Sequence, residues 1–281
     1  MTLLTNRRGM SVKDSCRWLD VPRSTHYYRP APRRERPTDP GVHRAVVETC
    51  LERPSFGYRR VTAMVRRRFG PGRRVNEKRV RRIMRAENLA LAPCFQPPRR
   101  RIAKQSGAQI TERPDEAYQM DLKYVWCGHD GWAYLQSVVE CCTSEWLGYV
   151  FSKRCGANEA VELLDQVVQA RFPETCLVPG TRLRVDNGPG YRSDRFVEHA
   201  SELGFDVEHI QVRTPEDNGV IESLHAGLDR DYLNCLVFDS LDEARTYIKW
   251  AFDDYNHVKP MKRLGWRTPK EFYIEVTASA N

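Results

Sequence analysis

The apolar residues at the start of the chain recur at the spacing of a helix. Val12, Cys16 and Leu19 lie three or four residues apart, and they follow Ser11, a residue type that commonly caps helices. An Asp-Val-Pro break comes next, and its proline suits the first turn of a second short helix. We therefore predict a small helix-turn-helix over residues 1–30.

A second helical region is predicted over residues 41–93. Its first helix runs from 42 to 53, its second opens with Phe56-Gly-Tyr-Arg-Arg60, and Asn76 caps its third. On the third helix the apolar residues fall on one side and most other positions are basic. An arginine-rich last helix in a three-helix unit meets the needs of a helix in a DNA major groove, although a solvated basic face would look the same. The predicted DNA contacts here are Arg59, Arg60, Lys78, Arg79, Arg81, Arg82 and Arg85.

After residue 114 the apolar residues form runs of strand length. Three such runs come first, and the His-Asp-Gly sequence between the first two is typical of a hairpin turn. The predicted strands are 118–126, 132–140, 146–152, 183–186 and 207–210, and the predicted helices are 158–171, 193–203, 217–232 and one that starts at Ser240. This order predicts an α/β domain with a mixed five-stranded sheet and helices on both faces, the element order of an RNase H-like domain.

Charge divides the chain into two parts. Residues 1–113 carry 28 Lys and Arg against 9 Asp and Glu, whereas the remainder carries 17 against 28, within a net charge of +8. A basic front of this kind indicates a polyanionic partner, above all nucleic acid. The predicted divisions are a helix-turn-helix (1–30), a Pro/Arg linker (31–40), a DNA-binding helix-turn-helix (41–93), a basic linker (94–113) and a catalytic core with a helical extension (114–281). In the basic linker, Arg99, Arg100 and Arg101 are further predicted DNA contacts.

The remaining composition bears on the compartment. No apolar run reaches the roughly 18 residues that cross a bilayer, and the first residues lack the apolar segment of a signal peptide. The nine cysteines are scattered without a C-x-x-C pair. We expect a reduced cytoplasmic protein without membrane contact, associated with the nucleoid through its DNA.

Three carboxylates occupy unusual positions in the acidic part. Asp121 lies inside an apolar strand, Asp186 ends another, and Glu222 lies near the start of a helix, with 64 and 35 residues between them. Each has an ordinary explanation as an ion-paired core residue, a turn residue or a helix-start acid. Together, three carboxylates from two strands and a helix are suited to holding two Mg²⁺ ions for phosphoryl transfer.

With these residues the chain resembles insertion-sequence transposases of the OrfB type, whose DDE core is similar to that of retroviral integrases. The resemblance extends over nearly the whole chain. It rests on Asp121 in Tyr-Gln-Met-Asp-Leu-Lys-Tyr, Asp186 in Asp-Asn-Gly-Pro-Gly-Tyr, Glu222 thirty-five residues later, the segments 56–61 and 76–84, the pairs Tyr255-Asn256, Leu264-Gly265 and Thr268-Pro269, and Cys16 with residues 24–28.

The resemblance implies a mechanism and partners. Asp121, Asp186 and Glu222 would be the catalytic residues and the ligands of two Mg²⁺ (or Mn²⁺) ions. Water would free a 3′-OH at the element end, and that hydroxyl would attack a second phosphodiester. The implied partners are double-stranded DNA, as terminal inverted repeats and target, and further copies of the chain in a multimer on DNA. The chain would also be fused to, or work with, an upstream OrfA product.

Some positions depart from the family pattern. Asp229 stands where the family usually has Lys or Arg, and Lys123 stands where it usually has Thr. We expect Lys123 and Arg230 to contact DNA and compensate for Asp229. Asn218 and His225 are further site candidates, His225 more as a packed or DNA-facing residue than as a ligand. Two alternatives remain open, namely a catalytically decayed DNA-binding protein and an RNase H-like nuclease that only hydrolyses.

Overall fold

The computed structural model describes residues 9–29, 39–92, 111–210, 218–234 and 236–279. Contacts divide the chain into two compact units, residues 1–39 and 40–281. The first unit contains α1 (Val12–Trp18) and α2 (Arg23–Tyr27). Ser11 caps α1 as predicted, because its hydroxyl accepts a hydrogen bond from the Asp14 amide at 3.1 Å. None of the described helices is both long and apolar enough to span a bilayer.

The second unit begins with three helices that share one apolar core. They are α3 (Pro40–Glu52), α4 (Tyr58–Phe69) and α5 (Glu77–Ala86). Asn76 caps α5 by accepting from the Lys78 amide at 2.8 Å. The buried apolar side chains of this core include Val42, Val46, Phe56, Val61, Val65, Val80, Ile83 and Met84. The helical spacing of these residues is what made the three helices predictable.

The rest of the second unit is built on one mixed sheet. Its strands are β1 (Ala117–Trp126), β2 (Trp132–Glu140), β3 (Trp146–Ser152), β4 (Arg182–Val185) and β5 (Asp206–His209), and they lie in the order β3-β2-β1-β4-β5. The first three strands are antiparallel, and β4 and β5 run parallel to β1. Each parallel crossover is made by a helix, as such connections require. This confirms the predicted five-stranded mixed sheet.

Helices cover both faces of the sheet. The α6 (Ala157–Arg171) and α7 (Asp194–Glu202) helices pack on the face that carries Tyr118 and Met120, whereas α8 (Gly219–Leu228) and α9 (Leu241–His257) pack on the face that carries Val125. The two faces therefore enclose separate apolar cores. Since successive strand residues point to opposite faces, Asp121 belongs to the face of α8.

Two predictions about the helices were inexact. The helix predicted over 217–232 is α8, which stops at Leu228 and continues as a π-helical turn over Asp229–Leu233. A last helix, α10 (Pro269–Ala278), was not predicted. Its signal was present, since Thr268 and Glu271 form a capping box around a proline in the first turn.

Charged side chains attach the three-helix region to the sheet and helices that make up the rest of the second unit. Arg53 forms a bidentate pair with Asp254 through two guanidinium nitrogens. A single nitrogen of Arg60, Nη1, donates to both carboxylate oxygens of Asp231, at 2.8 and 2.9 Å. The carboxylates of both acids are almost fully buried, at 4% and 1% side-chain exposure. Because buried carboxylates are costly unless they are paired, these arginines fix α3 and α4 against the core.

Candidate catalytic site

The register of the two central parallel strands places two carboxylates side by side. Met120 on β1 is paired with Val185 on β4. Asp121 is the next residue of β1 and Asp186 is the residue directly after β4, so the two lie at the same level on neighbouring segments. Adjacent strands of a sheet are about 4.8 Å apart. The loop after β4 fixes Asp186, whose Oδ1 accepts from the Gly188 amide at 2.8 Å. The predicted positions of both aspartates are therefore adjacent in the fold.

The third carboxylate, that of Glu222, is held near the two aspartates by a contact of Gln119, which the sequence did not predict. Glu222 lies in the first turn of α8. The Oε1 atom of Gln119 accepts hydrogen bonds from the amides of Val220 and Ile221, at 3.1 and 2.9 Å. Gln119 is buried and lies two residues before Asp121 on the same face of β1. One strand thus carries a catalytic candidate and also holds the helix that carries another.

The charges of the three candidates act on one another. Burial, followed by the nearby charges of Asp186 and Glu222, raises the pKa of Asp121 to about 6. A hydrogen bond from the Leu122 amide to Asp121, at 2.8 Å, and the charge of Lys123 act in the opposite direction. Desolvation and like charge are the two ordinary causes of a raised carboxylate pKa. The three predicted residues therefore share one electrostatic site.

The donor set matches a hard divalent cation. All three side chains present carboxylate oxygens, the ligand type that Mg²⁺ and Mn²⁺ prefer. Their mutual repulsion is the kind of strain that a cation would relieve. In the described part of the chain, no three His, Cys, Asp or Glu side chains are already close enough to enclose a metal ion. The three carboxylates thus fit such an ion by their chemistry, although among the described residues they are not close enough together to enclose one.

A histidine and an ion pair continue the same face of α8. His225 lies one turn after Glu222, and its Nδ1 is 3.5 Å from Asp121 Oδ2. Burial, followed by the charge of Lys123, lowers the pKa of His225 to about 4, so the ring is neutral at pH 7. One turn further, the Nζ of Lys123 is 2.8 Å from the carboxylate of Asp229. The site therefore contains a packed neutral histidine and an internally paired lysine.

The predicted DNA contacts differ in their surroundings. Lys78, Arg81, Arg82 and Arg85 are exposed on α5, and Arg79 is half-buried there. Arg59 is also exposed. Arg60 and Lys123 are engaged with Asp231 and Asp229, whereas Arg230 pairs with Asp231 while keeping about half of its side chain exposed. Asn218 is buried at the start of α8, and its Oδ1 has no hydrogen-bond partner within the described residues. Arg99, Arg100 and Arg101 lie outside the described residues.

Comparison with protein families gives matches along most of the chain. An integrase core domain matches residues 111–215, and a second integrase core domain matches residues 203–269. An HTH-like domain matches residues 42–101, the region of α3, α4 and α5. The chain is also 28% identical over 261 residues to the InsD transposase of IS2 elements of Escherichia coli, covering 91% of this chain and 82% of that protein. The InsD transposase of element IS2-9 from strain K12 gives the same identity, over 80% of its length.

Solved viral proteins are more distantly similar. The simian T-cell lymphotropic virus intasome in complex with a PP2A regulatory subunit matches 81% of this chain and 74% of the compared chain, with a TM-score of 0.49 and 17% identity. The HTLV-2 integrase catalytic core domain in complex with magnesium matches 58% of this chain and 98% of that one, with a TM-score of 0.44 and 16% identity.

Proposed function

This chain belongs to the integrase core family, whose two matches together span residues 111–269, and from that premise we propose which residues cut and join DNA. The family and the transposase relatives support one activity, namely DNA transposition by a polynucleotidyl transferase. An HTH-like domain before the core supplies a DNA-binding region. We propose Asp121, Asp186 and Glu222 as the catalytic residues.

The observation that carries this assignment is the pairing of β1 with β4. It sets Asp121 beside Asp186, while Gln119 holds the first turn of α8, with Glu222, against the same strand. The raised pKa of Asp121, caused by burial and then by Asp186 and Glu222, supports one shared site. Residues that are 101 positions apart in the sequence thus act on one another.

Each residue has a distinct task in the proposed reaction. The three carboxylates would hold one or two divalent cations, which would stabilise charge on the phosphate and activate the attacking oxygen. Asp121 is fixed by the sheet and Asp186 by the loop directly after β4, so the two would define where the scissile phosphodiester is placed. Glu222 completes the set from α8, and His225, neutral and packed against Asp121, supports the orientation of that carboxylate.

The remaining parts of the proposal concern partners. We propose that the substrates are the terminal inverted repeats of an insertion element and its target DNA. The protein would join two DNA ends, and for that it would act as a multimer on DNA. It would also be fused to, or work with, the product of an upstream reading frame.

The assignment is tested with variants that remove one charge and keep the shape. Asp121→Asn and Glu222→Gln should abolish cleavage and strand transfer while leaving DNA binding intact. Products are resolved from a labelled duplex carrying the inverted repeat that flanks the coding sequence, with Mg²⁺ or Mn²⁺ present, and binding is measured by mobility shift. Glu198→Gln is the matched control, since Glu198 is an exposed glutamate on α7.

The products also separate the alternatives. Cleavage without joining by the unmodified protein would indicate a nuclease that only hydrolyses. Strand transfer retained by either Asp121→Asn or Glu222→Gln would overturn the assignment of that residue.

A further inference from the structure

A basic cavity lies between the HTH-like region and the catalytic core. Its volume is about 490 Å³, and its walls come from the start of α4, from α8 and from the segment 255–266. The side of α8 that lines it carries Val220, Ser223 and Gly227. Glu222 and His225 are on another side of that helix, toward Asp121. The cavity is therefore distinct from the catalytic site, but the same helix forms a wall of both.

The walls are strongly positive. Six cationic residues line the cavity, and none of its described lining residues is Asp or Glu. The cations are Arg59, Arg60, Arg230, Lys259, Lys262 and Arg263. The carboxylate of Asp231, which is 1% exposed, contacts three of these cations, Arg60, Arg230 and Lys259. One negative charge is thus shared by three of the six positive charges.

The excess positive charge affects the pKa of the buried lysine, Lys259. Lys259 is 3% exposed, and its Nζ is 2.8 Å from Asp231. Burial lowers the pKa of Lys259 to about 8, and the charges of Arg60 and Arg230 act in the same direction against Asp231. A second anion in the cavity would offset this unfavourable concentration of charge.

The basic surface of α5 continues toward this cavity. Tyr58 lines the cavity, and its ring is approached by the guanidinium groups of Arg59, at 5.3 Å, and Arg81, at 5.5 Å. Arg81 is one of the exposed basic residues on α5. The stacked arginines therefore connect the face of the predicted DNA-contacting helix with the cavity.

We propose that this cavity binds backbone phosphate of the DNA that extends from the HTH-like region to the catalytic site. The inference rests on the proposed transposase function for the identity of its ligand. Phosphate is favoured because arginine and lysine bind it through charge-assisted hydrogen bonds, and Ser223 adds a hydroxyl at the wall. Since both α4 and α8 contribute, a phosphate here would fix the position of the DNA end relative to Glu222.

The test uses two exposed cations that form no ion pair within the described part of the chain, Arg59 and Lys262. Binding of the terminal-repeat duplex is measured by fluorescence anisotropy over a range of salt concentrations. Each lost phosphate contact lowers the slope of log K against log salt by about 0.9. We expect Arg59→Ala and Lys262→Ala each to weaken binding and lower the slope by about one, and Arg59→Lys to keep it.

The matched control is Lys249→Ala, which removes an exposed lysine from α9 in a different surface region. Its slope should equal that of the unmodified protein. A duplex series with one neutral methylphosphonate at a time then locates the contact. At the contacted phosphate the modification should weaken binding of the unmodified protein but not of the Lys262→Ala variant.

Several results would overturn the proposal. One is a salt slope that is unchanged in both alanine variants. Another is a methylphosphonate effect that is equal in the Lys262→Ala variant and the unmodified protein at every position. A third is competition by an acidic peptide but not by a second duplex. Tripolyphosphate that competes as well as DNA would show a general phosphate site instead of a DNA site. All readouts are of binding, so they stand apart from the cleavage test of Asp121 and Glu222.

Discussion

Replacing Gln119 with leucine should loosen the helix that carries Glu222. The side chain is buried, and its Oε1 receives two amides from the first turn of α8, Val220 N and Ile221 N. The N-cap residue Asn218 does not cap the helix with its own side chain. Gln119 therefore performs the capping from a neighbouring strand, and leucine, of similar size, would remove the oxygen that accepts from both amides.

The expected loss in the free energy of unfolding follows from the two amides that would lose their acceptor. A buried donor left without a partner costs about 1–3 kcal/mol, and loss of a helix cap typically costs about 0.5–2 kcal/mol. Ile221 is fully buried, whereas Val220 is half-buried and part of its lost hydrogen bond is recovered from water. We expect Gln119→Leu to lower the free energy of unfolding by about 2 kcal/mol. Because small misplacements of a catalytic group cost up to about 100-fold in rate, cleavage should fall by about 10- to 100-fold.

The assay pairs urea unfolding with single-turnover cleavage of the terminal-repeat duplex. Gln136→Leu on β2 is the matched control, since Gln136 is 2% exposed and its Oε1 has no hydrogen-bond partner within the described residues. That variant should stay within about 1 kcal/mol of the unmodified protein. DNA affinity should be unchanged throughout, which separates positioning from binding.

Two results would refute this reasoning. If Gln119→Leu lost no more stability than Gln136→Leu, the two hydrogen bonds would not support the helix. If it lost stability but cleaved at the unmodified rate under folded conditions, the first turn of α8 would not position Glu222.

Two further predictions concern stability. Asn256 accepts from Trp146 N at 3.0 Å and donates to Trp146 O at 2.9 Å in a buried position, so Asn256→Ala should cost about 2–4 kcal/mol in urea unfolding, and a cost below 1 kcal/mol would contradict the pairing. Asp231 is buried, but Lys259, Arg230 and Arg60 lower its pKa from 3.8 to about 2. A carboxyl with a lowered folded-state pKa stabilises the fold fully above its unfolded pKa. That stabilisation, about 2 kcal/mol, is lost as the pH falls from about 4 to 2. Asp231→Asn should be less stable at pH 6 and should lack this part of the acid sensitivity, and an identical pH profile in the two proteins would count against the ion-pair cluster.

Local patterns were enough to predict the five strands and most of the helices, although α10 and the end of α8 were missed. Helical spacing located the three helices of the HTH-like region, and apolar runs with turn signals located the five strands. The positions of Asp121 on a strand, Asp186 directly after a strand and Glu222 on a helix follow from those elements. Helices and strands depend mainly on residues that are close together in the sequence, so a single sequence is enough to predict them.

Contacts between distant residues could not be predicted in the same way. Gln119 and Ile221 are 102 positions apart, and Arg60 and Asp231 are 171 apart. Arg60 was expected to contact DNA because basic residues near a helix-turn-helix usually do, yet its guanidinium holds a buried acid of the core. The sequence does not show which group a charged side chain contacts. Only the tertiary structure separates an arginine that attaches two regions from one that faces a ligand.

A tertiary contact also changes the interpretation of Asp229, which departs from the family pattern near the proposed catalytic residues. Alone, a carboxylate where the family usually has a cation would repel DNA and suggest lost activity. In the structure, Asp229 holds the Nζ of Lys123 at 2.8 Å, and Lys123 stands two residues after Asp121 on the same face of β1. Burial raises the pKa of Asp121 and lowers that of His225, and the charge of Lys123 opposes the first shift and adds to the second. The carboxylate of Asp229 is therefore paired with a cation inside the protein and does not present an unpaired negative charge to DNA.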